Sequence, residues 1–422
     1  MNNMKIRLIV MNFLQFAVWG AYLTSMGTYL GSVGMGANIG WFYSVQGFVS
    51  IFMPALMGIV ADRWVPAQKL LSICHLVAAL CMIAVGYMGS MGHVDFVSLF
   101  PLYAVSVGFY MPTLALSNSV AYSSIDKAGL DTVKDFPPIR VFGTVGFIAS
   151  MWIVDLCGFI TTPIQFYVSA AWGIMLSIYA LTMPNCPVGG KSQESKGLVK
   201  ALGLDAFRLF GQKKMALFFI FSILLGVSLQ ITNGFAGPFI NHFVAMPEFA
   251  DSFAANHSGL LISLSQVSET LCILLIPFCL KRYGIKIVML IAMFAWVFRF
   301  GFFGLGDPGF PGVCLFVLSM IVYGVAFDFF NISGSLFVDK ETSSDIRSSA
   351  QGLFMLMTNG LGATIGTLSA QAVVNAFTYS QEVDGVFYTV GDWNTVWYIF
   401  AAYAAVVGIA FALFFEYKHV RE

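Results

Sequence analysis

The chain alternates between long apolar runs and short polar punctuation. After an opening run that ends near residue 30, apolar stretches recur at about 37–61, 69–90, 95–122, 138–159 and 163–183, and again at about 214–245, 256–280, 285–305, 311–338, 346–377 and 391–417. At about 1.5 Å of rise per residue, each is long enough to cross a hydrocarbon core of about 30 Å. The first run, MNNMKIRLIVMNFLQFAVWGAYLTSMGTYL, begins like a signal peptide with Lys5 and Arg7. It is too long for one and lacks a small-residue cleavage pattern, so it reads as a spanning helix. The pattern predicts an all-α membrane protein with twelve transmembrane helices.

One long polar interval, 184–213, interrupts the series at its middle. It holds Pro184, Pro187, Gly189, Gly190 and a Lys/Ser/Gln stretch. It is expected to be a cytoplasmic connector between a six-helix half at 1–183 and a second at 214–422. That is the layout of transporters built from parallel repeats around a midplane site. Charge agrees with the span count. With both termini on the cytoplasmic side, every one of the 21 Lys and Arg residues except Arg140 and Arg299 falls on that side. The opposite loops carry His93, Glu248, Asp251, Asp307, Glu382, Asp384 and Asp392 and no Lys or Arg, as the positive-inside rule requires.

Composition narrows the class further. With 58% hydrophobic and only 10% charged residues the chain is not a soluble domain, and zero net charge offers no nucleic-acid surface. The seven cysteines lie mostly inside apolar runs, without metal-type spacing, and read as small packing residues. Gly34–Gly40 and Gly360–Gly366 loosely suggest nucleotide loops, but their spacing is wrong and no strand–turn–helix surrounds them. Gly362 and Gly366 form a small-xxx-small pair suited to helix packing. No Walker loop, HExxH or nucleophile elbow is present, and the chain is not expected to be an enzyme.

Polar groups inside the spans carry the chemistry. Asp328 lies within VYGVAFDFFNISGSLFVDKE, flanked by Phe327, Phe329 and Phe330. A carboxylate at the centre of a membrane helix costs about 2.5–3.5 kcal/mol, so it marks a substrate or proton site by default. Glu269 is likewise remote from either surface and shares a helix face with Gln266. Gln230 and Asn233 are three apart on span seven, and Arg140, Thr144 and Phe147 follow one stripe of span five. Tyr323 and Phe327 are four apart beside Asp328, and Gln15, Trp19 and Tyr22 share a face of span one. Each has a plainer reading: amides that join neighbouring helices, aromatics that pack, a structural ion pair for the carboxylates. Arg140, just after Pro137-Pro138, reads from position alone as a snorkelling side chain. Arg299 and Asp155 lie near the far ends of their spans; Arg299 receives no role and Asp155 is expected to be solvated.

Together these groups suit an uncharged ligand with several hydroxyls and a flat ring. Amides and carboxylates bind hydroxyls and ring heteroatoms, and aromatic faces stack on a planar base. A buried carboxylate near an Arg can bind and release a proton during a cycle. Proton-coupled transport of such a solute is the leading hypothesis. A proton-coupled carrier of sugars or other polar metabolites, and a non-transporting receptor that kept the pocket, stand as alternatives.

The turn GIVADRWVPAQK, with Gly58, Asp62 and Arg63 in place and Val65 where a second Gly is usual, resembles the loop signature of the major facilitator superfamily. Longer strings are more specific: MPALMGIVADRW, DFPPIRVFGTVGF, LQITN, SQVSET, RYGIK, VYGVAFDFFNISGS and the terminal YKHVR. With these the chain resembles, over essentially its whole length, the nucleoside/proton symporter family of that superfamily. The resemblance implies a major facilitator fold in the cell inner membrane, two halves that rock about the site, and uptake of nucleosides such as uridine and adenosine. It implies no cofactor beyond the proton as coupling ion, and the chain is expected to be a monomer. It also implies a nucleoside pocket between the halves built from Arg140, Thr144, Phe147, Gln230, Asn233, Gln266, Glu269, Tyr323, Phe327 and Asp328. The amides and Glu269 would lie near the ribose and the aromatics near the base. Asp328 is then the expected proton-linked residue, Glu269 the ribose reader that could exchange roles with it, and Arg140 the cation that regulates the carboxylate charge.

Overall fold

A computed structural model of the chain describes residues 3–92, 94–188, 204–343 and 346–417. His93, Gly189, Gly190, Lys191, Lys196, Lys200, Lys418 and Arg421 lie outside the described residues, as does the side chain of Asp62. The elements in chain order are α1 (Asn3–Gly20), α2 (Met26–Ser32), α3 (Ile39–Arg63), α4 (Ala67–Ser90), α5 (Phe96–Tyr110), α6 (Thr113–Lys127), α7 (Thr132–Leu156) and α8 (Ile164–Leu181). They continue with α9 (Lys213–Leu229), α10 (Ile231–Asn241), α11 (Ser258–Ile273), α12 (Ile276–Tyr283), α13 (Ile285–Leu305) and α14 (Val313–Glu341). The last are α15 (Arg347–Met355), a π-helical segment (Leu356–Gly362), α16 (Ala363–Phe377), the hairpin β1 (Thr378–Val383) and β2 (Val386–Gly391), and α17 (Trp393–Phe414).

Among the described residues 10 helices are long and apolar enough to cross a bilayer, and α11 with α12, bent by 53°, passes as an eleventh span. The α1–α2 segment, broken over 21–25, is the twelfth. The fold is the expected twelve-helix facilitator bundle. The sequence pattern did not show that several spans are broken. Pro112 separates α5 from α6, Gln230 separates α9 from α10, and the chain turns at Leu274–Leu275 between α11 and α12. Elsewhere the local signals are ordinary. Asp95 caps α5 through the Ser98 N–H at 2.9 Å. Asp392 caps α17 by accepting from Thr395 Oγ1 at 2.6 Å and its N–H at 3.0 Å, and these bonds hold its carboxyl below the usual range.

The described residues fall into two compact units, one within Met1–Tyr29 and Phe48–Ala201, the other within Leu30–Gly47 and Leu202–Glu422. In the first unit α1 packs closely on α7: a Cβ on Gly20 would meet the Phe147 backbone, and one on Gly146 the Phe13 backbone. Gln15 then anchors α1, hydrogen-bonded to Thr113 Oγ1 at 2.7 Å and His75 Nε2 at 2.8 Å, while Tyr110 Oη donates to its carbonyl at 2.9 Å. Asp155, expected in solvent, is instead 3% exposed: the end of α7 is covered where Gly158 turns the chain back, beside buried Val154 and Ile160.

In the second unit α14 packs between α11 and α13, and α13 also packs on α17. Phe239 of α10 sits among Phe303, Phe316, Trp393 and Trp397 at ring-centre distances of 5.3–5.6 Å. The pairing of Gly226 with Gly362, and of Gly366 with the Val227 backbone, brings α9 against the π segment and α16. Gly362 and Gly366 thus serve helix packing, as their spacing predicts. The segment at 378–391, read from the sequence as a loop, is an antiparallel hairpin closed by Asp384 and Gly385.

Candidate functional site

In the first unit the stripe on α7 is real. The Arg140 guanidinium carbon lies 3.9 Å from the centre of the Phe16 ring, and the Tyr110 hydroxyl lies within range of its charge. Arg140 therefore turns toward α1 and does not simply snorkel. Phe147, two turns further along the same stripe, meets Trp19 edge-on at 6.2 Å, and Trp19 meets Tyr110 at 5.9 Å. Thr144 is half-buried on the same helix. A cavity of about 10 Å³ beside His75, Ser106, Tyr110 and Ser169 holds at most one water and is no solute site.

In the second unit three structural devices position the remaining candidates. The first is the break at Gln230. Asn233 Nδ2 donates to Gln230 Oε1 at 2.9 Å, and both side chains are half-buried. This bond leaves Gln230 Nε2 as a donor and Asn233 Oδ1 as an acceptor for a further partner.

The second device is the close approach of α11 and α14. Gly324 leaves no room for a Cβ against the Ser268 backbone, and Ser268 Oγ donates to the Ile321 carbonyl. The approach brings half-buried Glu269, one residue on from Ser268, within electrostatic range of Tyr323 and Asp328. Gln266 lies on the same face of α11, half-buried.

The third device is the run of α14 itself. Tyr323 and Phe327 stack at 5.6 Å with an 18° interplanar angle. Asp328 is 6% exposed, and its Oδ2 has no hydrogen-bond partner. Leaving a buried carboxylate oxygen unmet costs free energy that a membrane helix does not keep without use. Asn331, one turn on, donates Nδ2 to the Phe327 carbonyl at 3.0 Å, while its buried Oδ1 is also unpartnered.

Two residues were missed from the sequence. Asn331 shares a face with Asp328 and Phe327 at helical spacing, a signal that was available. Arg299, given no role, is 2% exposed within α13 and stands behind Tyr323. Its position near a span end gave no sign of this burial, which comes from the packing of α13 against α14.

The chain matches the family model described as nucleoside H+ symporter over residues 1–420. It is 48% identical over 421 residues to the nucleoside permease NupG of Escherichia coli K12, covering 99% of this chain and 97% of that protein. It is also 48% identical over 419 residues to the xanthosine permease of the same organism, with coverage of 99% and 97%. The crystal structure of the nucleoside transporter NupG superposes with a TM-score of 0.88 at 46% identity, covering 99% of this chain and 100% of that one.

Proposed function

From the premise that the chain belongs to the nucleoside H+ symporter family, which is a family of transporters and not of enzymes, we propose that it carries nucleosides into the cell together with protons. It is a multi-pass protein of the inner membrane, and the charge distribution supports both termini being cytoplasmic. The moving bodies are the six-helix halves 1–183 and 214–422, joined by the connector 184–213. Uridine and adenosine are the first substrates to test.

One observation carries the reading. A carboxylate with an unmet oxygen, Asp328, is held mid-span beside a stacked aromatic pair and a second carboxylate, Glu269. A flat base suits the Tyr323–Phe327 face. Ribose hydroxyls suit the free donor and acceptor of Gln230 and Asn233, with Gln266 and Glu269 as further hydrogen-bonding partners. The two carboxylates lie within electrostatic range of each other in the span interior, where an ionisable group is kept for a use such as carrying a proton. Asp328 is assigned that proton and Glu269 the ribose, while in the first unit Arg140 and Thr144 offer polar groups on one stripe of α7. The proton is the coupling ion, and the resting carrier acts as a monomer.

The test is uptake of labelled uridine into proteoliposomes holding the purified chain. An inward proton gradient is compared with the same gradient collapsed by an ionophore. Accumulation above the outside concentration only with the gradient is the expected result. Equilibration without accumulation leaves a facilitator and removes the proton assignment. Competition by free ribose but not by nucleosides moves the substrate class to sugars.

A further inference from the structure

Arg299 is among the largest fully buried side chains in the protein, and the mechanism above does not use it. Its Nη1 donates to the Ser319 carbonyl at 2.7 Å and to Ser265 Oγ at 3.3 Å, while its Nε is buried without a partner. Among the described residues no carboxylate pairs with it. What faces the charge is aromatic: the guanidinium carbon lies 4.4 Å from the centre of the Tyr323 ring and 5.5 Å from that of Phe303. The Tyr323 ring in turn stacks on Phe327 and is held edge-on by Trp296 at 6.0 Å.

Joining α11, α13 and α14 needs only a hydrogen-bond donor. A neutral amide would do this without the cost of burying a charge, so the charge itself calls for a use. Its reach supplies one. A cation on a ring face is drawn to the ring's negative quadrupole, which fixes the ring plane and withdraws electron density from it. Ser265 precedes Gln266 directly and lies one helical turn before Glu269, so the same side chain also ties the ribose-facing helix to the aromatic pair.

We propose that Arg299 is a positioning residue that sets nucleoside affinity by acting on the base through the Tyr323 ring. The proposal rests on the reading that Tyr323 and Phe327 receive the base. It predicts energetic coupling between positions 299 and 323 that a residue serving only to pack helices would not show.

The experiment is a double-mutant cycle on the full-length purified protein, reading equilibrium binding of labelled uridine for wild type, Arg299→Gln, Tyr323→Leu and the double variant. Arg299→Gln alone is expected to weaken binding about tenfold, the scale of a desolvated cation–π contact. In the Tyr323→Leu background the same change is expected to have no further effect, because the ring through which it acts is gone. Equal weakening by Arg299→Gln in both backgrounds, or unchanged affinity in folded Arg299→Gln, overturns the proposal. If Tyr323→Leu alone binds uridine like wild type, the base-stacking reading fails instead, which separates the two. If Arg299→Gln does not yield folded protein, Arg299→Lys, which keeps the charge, takes its place in the cycle. It is expected to weaken binding by about threefold, again only with the ring present.

Discussion

Asn233 and Gln230 are bonded side chain to side chain at 2.9 Å, and Gln230 is the residue at which the helical span divides into α9 and α10. The break and the pair belong together. Where a membrane helix is interrupted, polar groups gather to meet the freed backbone, and the same groups are then placed to meet a solute. Replacing Asn233 with Leu removes the partner that orients Gln230 and one acceptor for a hydroxyl. Uridine binding is expected to weaken about 10- to 100-fold, the range of one to two lost hydrogen bonds. Affinity within about twofold of wild type in a binding titration would show that the pair only joins helices.

Asp328→Asn keeps the shape of a side chain whose Oδ2 is unmet and removes its ability to carry a proton. Counterflow exchange of uridine is expected to persist while accumulation driven by a proton gradient disappears. Uptake that remains as dependent on external pH as in wild type would move the proton to Glu269.

Glu269→Gln separates the two carboxylates. If Glu269 reads the ribose as an ionised acceptor, the amide supplies only one acceptor oxygen, and binding of uridine is expected to fall by about tenfold or more. The loss should be smaller for 2′-deoxyuridine, which offers fewer hydroxyls. Equal losses for both nucleosides, read by isothermal titration, would leave Glu269 a structural or charge-balancing residue.

Much of this arrangement is legible in the sequence. Twelve apolar runs, their charge asymmetry and the two interior carboxylates specified the class, because the bilayer imposes lengths and penalties that a sequence cannot hide. What stayed hidden was relative placement. Arg299 and Asp155 both sit near span ends, and position along one helix does not reveal that a neighbouring helix buries Arg299 or that the turn at Gly158 covers the end holding Asp155. The break at Gln230 has no proline beside it and gave no local warning, whereas Pro277, in the first turn of α12, is a local signal for the turn at Leu274–Leu275. The hairpin is a different case. Asp384 and Gly385, with φ of 51° and 80°, form the two-residue turn that an Asp-Gly pair between alternating residues announces, a signal that a pattern of long apolar runs masks.

The crossing of α9 with the π segment and α16 tests packing separately from binding. A Cβ at Gly226 would meet the Thr358 carbonyl and lie 3.0 Å from Gly362 Cα, both backbone atoms that cannot step aside. Gly226→Val is expected to cost about 1–3 kcal/mol or to prevent folding, whereas Gly301→Ala, where nothing lies within 4 Å, should leave stability almost unchanged. Melting of the two purified variants in detergent decides it; equal melting temperatures would mean that the helices cross with more freedom than their geometry shows.

Gln371 offers a last prediction, on local opening. Its Oε1 accepts the Gly40 N–H at 2.5 Å, its Nε2 donates to the Gly36 carbonyl at 3.1 Å and to Asn375 Oδ1 at 2.8 Å. The clasp holds the start of α3 and the turn before it against α16, and the hairpin adds Thr389 beside Gly36. A side chain that meets backbone groups on both sides of a turn governs how often that turn opens, because its loss leaves a buried N–H and C=O without partners. Gln371→Ala is therefore expected to speed amide hydrogen exchange over residues 36–47 while exchange in the middle of α14 stays unchanged. Unaltered exchange at Gly40 would mean that the contacts along α16 hold the segment without the amide. Faster exchange throughout the second unit would mean that Gln371 supports the whole bundle and not the turn alone.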